Sequence, residues 1–206
     1  MVGSKPLIPG IAETVISEAE KENKWLYKSF KAGQESKMDC TTRFAVWTEF
    51  YACEHCAYEI ESWNAQVDKE NICIRKKISC PSCGIEHKTD KLKRVTVIEF
   101  DQVLGRPRRV TKKKLCWIVL NSQSGRYERK ATECDIKATD KAIDMLKGMS
   151  IPVRELPYMH MSHERNDLPS LGYDYVHSFF SPRTLFAIAD LFERFKLSIV
   201  NKSLPL

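Results

Sequence analysis

The sequence predicts an α+β fold: an N-terminal helix, a β-rich ribbon with following antiparallel hairpins, and a C-terminal helical part. Three observations predict it. Short aromatic and β-branched runs, separated by polar turns, fill the chain from Cys53 to Lys130. Apolar residues recur at helical spacing near both ends. Two Cys-x-x-Cys pairs lie in the β-rich part.

From Leu7 to about Glu22, Ile8, Ile11, Val15, Ile16 and Ala19 recur on one helical face, and Pro9 is tolerated in a first turn. WLYKSF and TTRFAVWTEFYA then read as strands on either side of a polar break at Gly33. The runs AYEIESW, ICIRKKIS, RVTVIEF and KLCWIVLNS are short and strand-like. After Ala131 the period changes, with Ala138, Ala142, Ile143, Met145 and Leu146 predicting a helix over 137–147 and Gly148 at its C-cap. Residues 150–174 hold three prolines without a period and read as a long loop. A strongly apolar helix follows, with Ser181 as N-cap and Pro182 in its first turn. The organisation is therefore 1–45 for the helix and lead-in strands, 46–90 for the ribbon, 91–130 for basic hairpins and 131–206 for the helical part.

The 206 residues, 43% of them hydrophobic, suffice for a real core. No run of about 18 uncharged apolar residues occurs, and MVGSKPLIPG lacks the apolar stretch of a signal peptide, so the expectation is a soluble, cytoplasmic chain without membrane contact. A reducing compartment makes metal ligation or burial the expected use of the eight cysteines.

Spacing separates these uses. Cys53-Glu-His-Cys56 and Cys80-Pro-Ser-Cys83 are two knuckles 23 residues apart, which can set four thiolates tetrahedrally around Zn²⁺. Four protein ligands leave no open position, so the expected zinc is structural, contributing on the order of 10 kcal/mol to local folding. Buried reduced thiols are the competing reading. His55, inside the first knuckle, is a rival ligand or an exposed turn residue. Cys40, Cys73, Cys116 and Cys134 lack a partner at ligand spacing and are expected in the core.

The formal charge is +6, and the stretch QVLGRPRRVTKKK alone accounts for it through Arg106, Arg108, Arg109, Lys112, Lys113 and Lys114. Six cations without an acid on a hairpin tip can neutralise several phosphates, with a log–log salt slope near about −5; a solvated hairpin is the alternative. No P-loop, dinucleotide loop, G-x-S-x-G elbow or H-E-x-x-H pair is present. His160 and His163 in MHMSHERND stand near acids, but no complete active site accompanies them.

The run from WLYKSF through the double knuckle, then RYERK, IPVRELP and YDYVHSFFSPRTLFAIADL, resembles the middle of a family of zinc-ribbon-containing bacterial and phage DNA methyltransferases acting on exocyclic amines of adenine or cytosine. The resemblance covers about Trp25 to Phe195 and includes a His-x-Phe-Phe-[Ser/Thr]-Pro-Arg motif matched by His177, Phe179, Phe180, Ser181, Pro182 and Arg183. It implies methyl transfer from S-adenosylmethionine in a complete parent enzyme. The family's catalytic Asp/Asn/Ser-Pro-Pro-aromatic loop and its Phe-x-Gly cofactor loop have no match, since the chain holds no Pro-Pro pair and no Phe-x-Gly. The implied role is a DNA-binding, target-recognition segment that is not catalytic alone and works with a catalytic portion in cis or trans. The alternative is a protein-interaction module, with Phe186, Phe192 and Phe195 at its interface. On this resemblance His177 and Arg183 are expected to face a nucleic-acid or catalytic cleft, structural hydrogen bonding being the alternative; independently, one of Phe179 and Phe180 is expected to pack inward, because adjacent residues on a strand or turn face opposite ways.

Overall fold

A computed structural model describes residues 8–68, 73–156 and 168–203 and has the expected α+β architecture. Helix α1 (Ile8–Glu22) buries Ile11, Val15 and Ala19, spaced four apart, against the last helix, α4 (Pro182–Ser203). Polar contacts fix their relative position: Arg194 pairs with both Glu22 and Asp190, and the Asn23 amide donates to Asp190 at 2.6 Å. Trp25 and Leu26, expected in a strand, lie in a 3-10 turn over 23–26, because Leu26 is drawn into the helical core with Ala142, Leu146, Leu185 and Phe186.

Strand β1 (Lys28–Ser29) is short, and β2 (Cys40–Ala52) runs for 13 residues across the expected boundary at 45/46. Its first part pairs with β1 and β10 (Lys113–Ser122); its last three residues pair with β3 (Glu59–Glu61). The main antiparallel sheet has the order β1-β2-β10-β11, with β11 (Gly125–Lys130) returning from β10 through a tight turn. Two register shifts, at Leu115/Trp117 and Val119/Leu120, accommodate the long pairing of β2 with β10. Ile118 and Leu120 are fully buried on one face with Cys40 and Leu115.

The last two residues of AYEIESW leave the strand for a short helix, α2 (Ser62–Gln66). The hydroxyl of the buried Thr48 accepts from the Trp63 amide at 2.9 Å, holding the start of α2 against β2. Small hairpins follow: β4 (Val67–Asp68) with β5 (Cys73–Ile74), β6 (Lys77–Ser79) with β7 (Glu86–Lys88), and β8 (Thr96–Asp101) with β9 (Arg106–Thr111).

Helix α3 (Glu133–Met145) starts four residues before the expected 137. The reason is a capping box: the amide and hydroxyl of Thr132 both donate to the Asp135 carboxylate at 2.8 Å. That carboxylate also receives both terminal nitrogens of Arg129, at 2.6 and 3.1 Å. Arg129 completes its five donors on the carbonyls of Phe30 and Lys130 and on Ser29 Oγ. The last helix starts where expected, with Ser181 Oγ accepting from the Thr184 amide at 3.4 Å. Of the expected long loop, the described part contains a Glu155–Tyr175 bridge and a 3-10 turn over 168–171; His160 and His163 lie outside the described residues. No helix among the described residues is long and apolar enough to cross a membrane.

Burial disfavours the Asp135 charge, yet the Arg129 and Thr132 hydrogen bonds outweigh it and hold the carboxyl below its usual range. A depressed folded value contributes stability above the unfolded carboxyl pKa of about 3.9, lost as pH falls through the folded value. Asp135→Asn should cost about 3–5 kcal/mol in urea unfolding at pH 7, by stranding a buried guanidinium, and should flatten the acid limb of the stability profile.

Candidate metal centre and basic hairpin

Each knuckle is the turn of a hairpin. The first joins β2 to β3 and the second joins β6 to β7, and their backbones repeat the same bonds. The Cys53 amide donates to the Tyr58 carbonyl and the Ala57 amide to the Cys53 carbonyl; Cys80 does the same with Ile85, and Gly84 with Cys80, all four at 2.9 Å. The residue after each second cysteine turns into left-handed backbone, at φ +58° for Ala57 and +74° for Gly84. Tyr51, Ile60, Ile78 and Leu92 form an apolar base under the two turns, together with the buried Cys53 and Cys80.

The four sulfurs converge, all within 4.8 Å of one another. Cys53 Sγ lies 3.7 Å from Cys83 Sγ, and Cys56 Sγ lies 3.6 Å from Cys80 Sγ. A metal bound tetrahedrally at about 2.3 Å from each sulfur requires sulfurs about 3.8 Å apart, so the set fits a four-thiolate metal site.

The turn amides prepare these sulfurs for ionisation. The Cys56 amide, joined by that of His55, outweighs burial and holds Cys53 below the ordinary thiol value. Against its own burial, the amides of Cys83 and Ser82 bring Cys80 down to about 7. Cys83 goes the other way: the Ile85 amide favours its thiolate, but burial and the three neighbouring sulfurs push it up to about 12. Four thiolates this close repel one another, and a bound cation relieves that repulsion.

No known protein family, curated protein or solved structure matches this chain. The centre is therefore read from its own geometry.

His55 is exposed on its turn and stands apart from the sulfur cluster. The histidine at the centre is His87, whose Nε2 is 3.2 Å from Cys53 Sγ, in position to donate to a thiolate. His87 follows Cys83 by four residues, as Ile60 follows Cys56, so comparing the two knuckles residue by residue points to it. Of the other cysteines only Cys40 is buried; Cys116 is half-buried with its thiol on the Val46 carbonyl, and Cys73 and Cys134 are exposed, because their strand and helix turn those positions to solvent.

The basic stretch forms the β8–β9 hairpin and the start of β10, and most of it is occupied within the fold. Arg108 donates to Asp101, Asp174 and the Gly172 carbonyl at 2.6 to 2.8 Å. Arg106 donates to the Tyr175 hydroxyl, Lys112 to Glu59, and Lys113 to the Tyr173 hydroxyl. Arg109 and Lys114 are exposed and have no side-chain partner among the described residues. Gly172 allows the close contact between this hairpin and the C-terminal segment, since a Cβ there would sit 2.9 Å from Val110 Cα.

His177 and Arg183 are inside the protein. His177 Nε2 donates to Asp101 Oδ2 at 3.0 Å, and Arg183 donates to Thr139 Oγ1, the Leu26 carbonyl and the Asp135 carbonyl. With His177 5% and Arg183 7% exposed, the expectation that they face a cleft gives way to structural hydrogen bonding. Both phenylalanines between them face solvent, Phe179 at 52% and Phe180 at 41%, because a 3-10 turn over 176–179 replaces the alternation of a strand.

The sequence reading missed a second set of cations. Lys76, Lys88, Lys91 and Lys93, on and around the β6–β7 hairpin, are exposed and have no side-chain partner among the described residues. Their signal was available: KK before the second knuckle, and HK with KLK after it.

Ala57→Gly should raise stability by about 0.5–1 kcal/mol in denaturant unfolding of the metal-loaded protein, because a left-handed Ala costs more than the extra chain entropy of Gly. His87→Leu, which copies the apolar residue of the first knuckle, should keep the packing while lowering metal affinity by about tenfold in chelator competition.

Proposed function

We propose that this chain is the zinc-binding, DNA-contacting target-recognition segment of a DNA methyltransferase, without methyl transfer of its own. The observation that carries the metal half is the convergence of Cys53, Cys56, Cys80 and Cys83 within 4.8 Å on two equivalent hairpin turns. Four sulfurs in a tetrahedral set suit zinc, and a full ligand set makes it a structural ion. Its work is to clamp hairpins too small to hold themselves together, since two-stranded units of three residues bury little.

The DNA half rests on the exposed cations around that clamp. Lys76, Lys88, Lys91 and Lys93, with Arg109 and Lys114, supply the phosphate-binding charge, while Arg106, Arg108, Lys112 and Lys113 serve the fold. The methyltransferase link comes from the sequence resemblance. In that reading S-adenosylmethionine and the catalytic loop belong to a complete parent enzyme, supplied in cis or trans.

A second reading is a protein-interaction module docking on a separate catalytic chain. It is favoured by α4, where Phe192 and Val200 are 58% and 55% exposed. Phe186 is buried in the helical core and cannot serve such an interface.

Metal analysis of the purified chain should find one zinc per chain, removed by chelator with loss of β-structure. Binding to a short duplex should weaken steeply with salt, and replacing Lys76, Lys88, Lys91 and Lys93 by Ala together should flatten the log–log slope by about 3 to 4. An unchanged slope would sink the DNA contact, and a chain that folds without zinc would sink the structural ion.

A further inference from the structure

A cleft of ≈ 690 Å³ lies where the two segments singled out from the sequence meet. One wall is the start of β10 with Lys113 and Lys114, the other is Phe179-Phe180-Ser181-Pro182, and α3 and β2 close the sides with Asp140 and Trp47. Its size falls within the roughly 300–1,000 Å³ usual for small-molecule sites.

Three features of the lining converge on one chemistry. Phe179 and Phe180 are adjacent, both largely exposed, and leave apolar ring area in water that a flat ligand would cover. Lys114 is an exposed cation with no side-chain partner among the described residues, at the same cleft. Glu99 and Asp140 are exposed acceptors in the same state, and the Ser178 hydroxyl, buried against the cleft, has no hydrogen-bond partner among the described residues. A ligand that answers all three has a π face, an anionic group and polar edge groups that can donate.

We propose that this cleft holds one unpaired nucleotide of a DNA strand, its base stacked on Phe179 and Phe180, its phosphate at Lys114 and its base edge toward Asp140, Glu99 and Ser178. The assignment rests on the DNA reading above and deepens it, by giving the chain a site for a single-stranded nucleotide in addition to a phosphate-binding surface. Stacking is tolerant of base identity, so the cleft contributes affinity for unpaired DNA more than sequence choice.

The test uses the full zinc-loaded chain and three probes: a fluorescein-labelled ten-nucleotide single strand, a duplex of the same sequence, and unlabelled deoxynucleoside monophosphates as competitors. The single strand should bind more tightly than the duplex. Phe179→Ala and Phe180→Ala should each weaken it about 5- to 100-fold with melting temperature and zinc content unchanged. Lys114→Ala should lower the single-strand salt slope by about 0.7. If both phenylalanine variants bind the single strand like the wild type, while the lysine-dependent duplex binding persists, the cleft assignment falls and the DNA reading stands. If neither strand form binds, both fall. Displacement of the strand by micromolar free monophosphates would mark a free-nucleotide site and overturn the strand assignment.

Discussion

Strand β2 has to satisfy two partners at once, and the rest of the molecule is arranged around that constraint. Its pairing with β10 places it inside the main sheet, and its pairing with β3 makes it the first leg of the metal knuckle. Side chains alternate faces with a period of two, so a slip of one residue in the β2–β10 register would turn Cys53 away from its three partners while exposing the apolar face of the sheet. The irregularity needed to fit so long a strand is shared: one shift passes over Cys116 on β10 and the other over Arg43 on β2, so that β2 pairs without a break from Val46 to Glu49, the part that leads to the knuckle. Thr48 adds a lock at the crossover point by holding the start of α2 against the strand.

The second organising feature is the burial of positive charge. Arg129 and Arg183 both converge on Asp135, one through the carboxylate and the other through the carbonyl, and so tie β11, α3, α4 and the 3-10 turn at Leu26 into one body. A hub of the same kind operates at Asp101. Burial opposes its charge, but the His177 hydrogen bond, the Leu104 amide and Arg108 prevail and hold the carboxyl well below the usual range. Asp101 thereby fastens the β8–β9 hairpin to the segment entering α4. These guanidinium and imidazole groups are specific because each has a fixed set of acceptors, and an apolar replacement would leave those carbonyls and carboxylates unpaired.

This explains what was legible in the sequence and what was not. The four-cysteine cluster was legible because its information is local: both Cys-x-x-Cys turns fold into the same hairpin shape, and two of them at this spacing can bring four sulfurs together. The α+β class was legible from periodicity. The fate of QVLGRPRRVTKKK was not, because its partners, the acids Glu59 and Asp174 and the hydroxyls of the tyrosines at 173 and 175, are roughly 50 to 70 positions away along the chain. Only Asp101 is close, and it lies just outside the acid-free stretch. A charge run counts side chains and takes no account of distant partners, so it overstates the cations left for solvent. The motif HSFFSPR shows the reverse error: its polar ends, His177 and Arg183, attract a functional reading, whereas the fold uses them inside and leaves the two phenylalanines outside. The start of α3 was misplaced because an Asp at the third position closes the capping box in place of the usual Glu or Gln.

The metal module and the cleft are mechanically connected through the same strand. Trp47 and Glu49 of β2 line the cleft, and Cys53 follows only four residues after Glu49, a distance of about 13 Å along an extended strand. Ion pairs brace the span from both sides: Arg94, beyond the second knuckle, holds Glu49 at 2.6 Å, and Lys112, next to the cleft lysines, holds Glu59 on β3. The backbone agrees, since residues 93 and 95 bond to the end of β2 while Lys112 bonds to Val95. Exposed ion pairs of this kind are weak singly, and their geometry persists only while both strands they join are ordered. The two cysteine turns sit at the ends of β3 and of the second hairpin, so a metal held between them would tie the two together. A metal held by the four sulfurs would therefore also steady Lys113 and Lys114 at the cleft, through the strand and the ion pairs on which that wall is built.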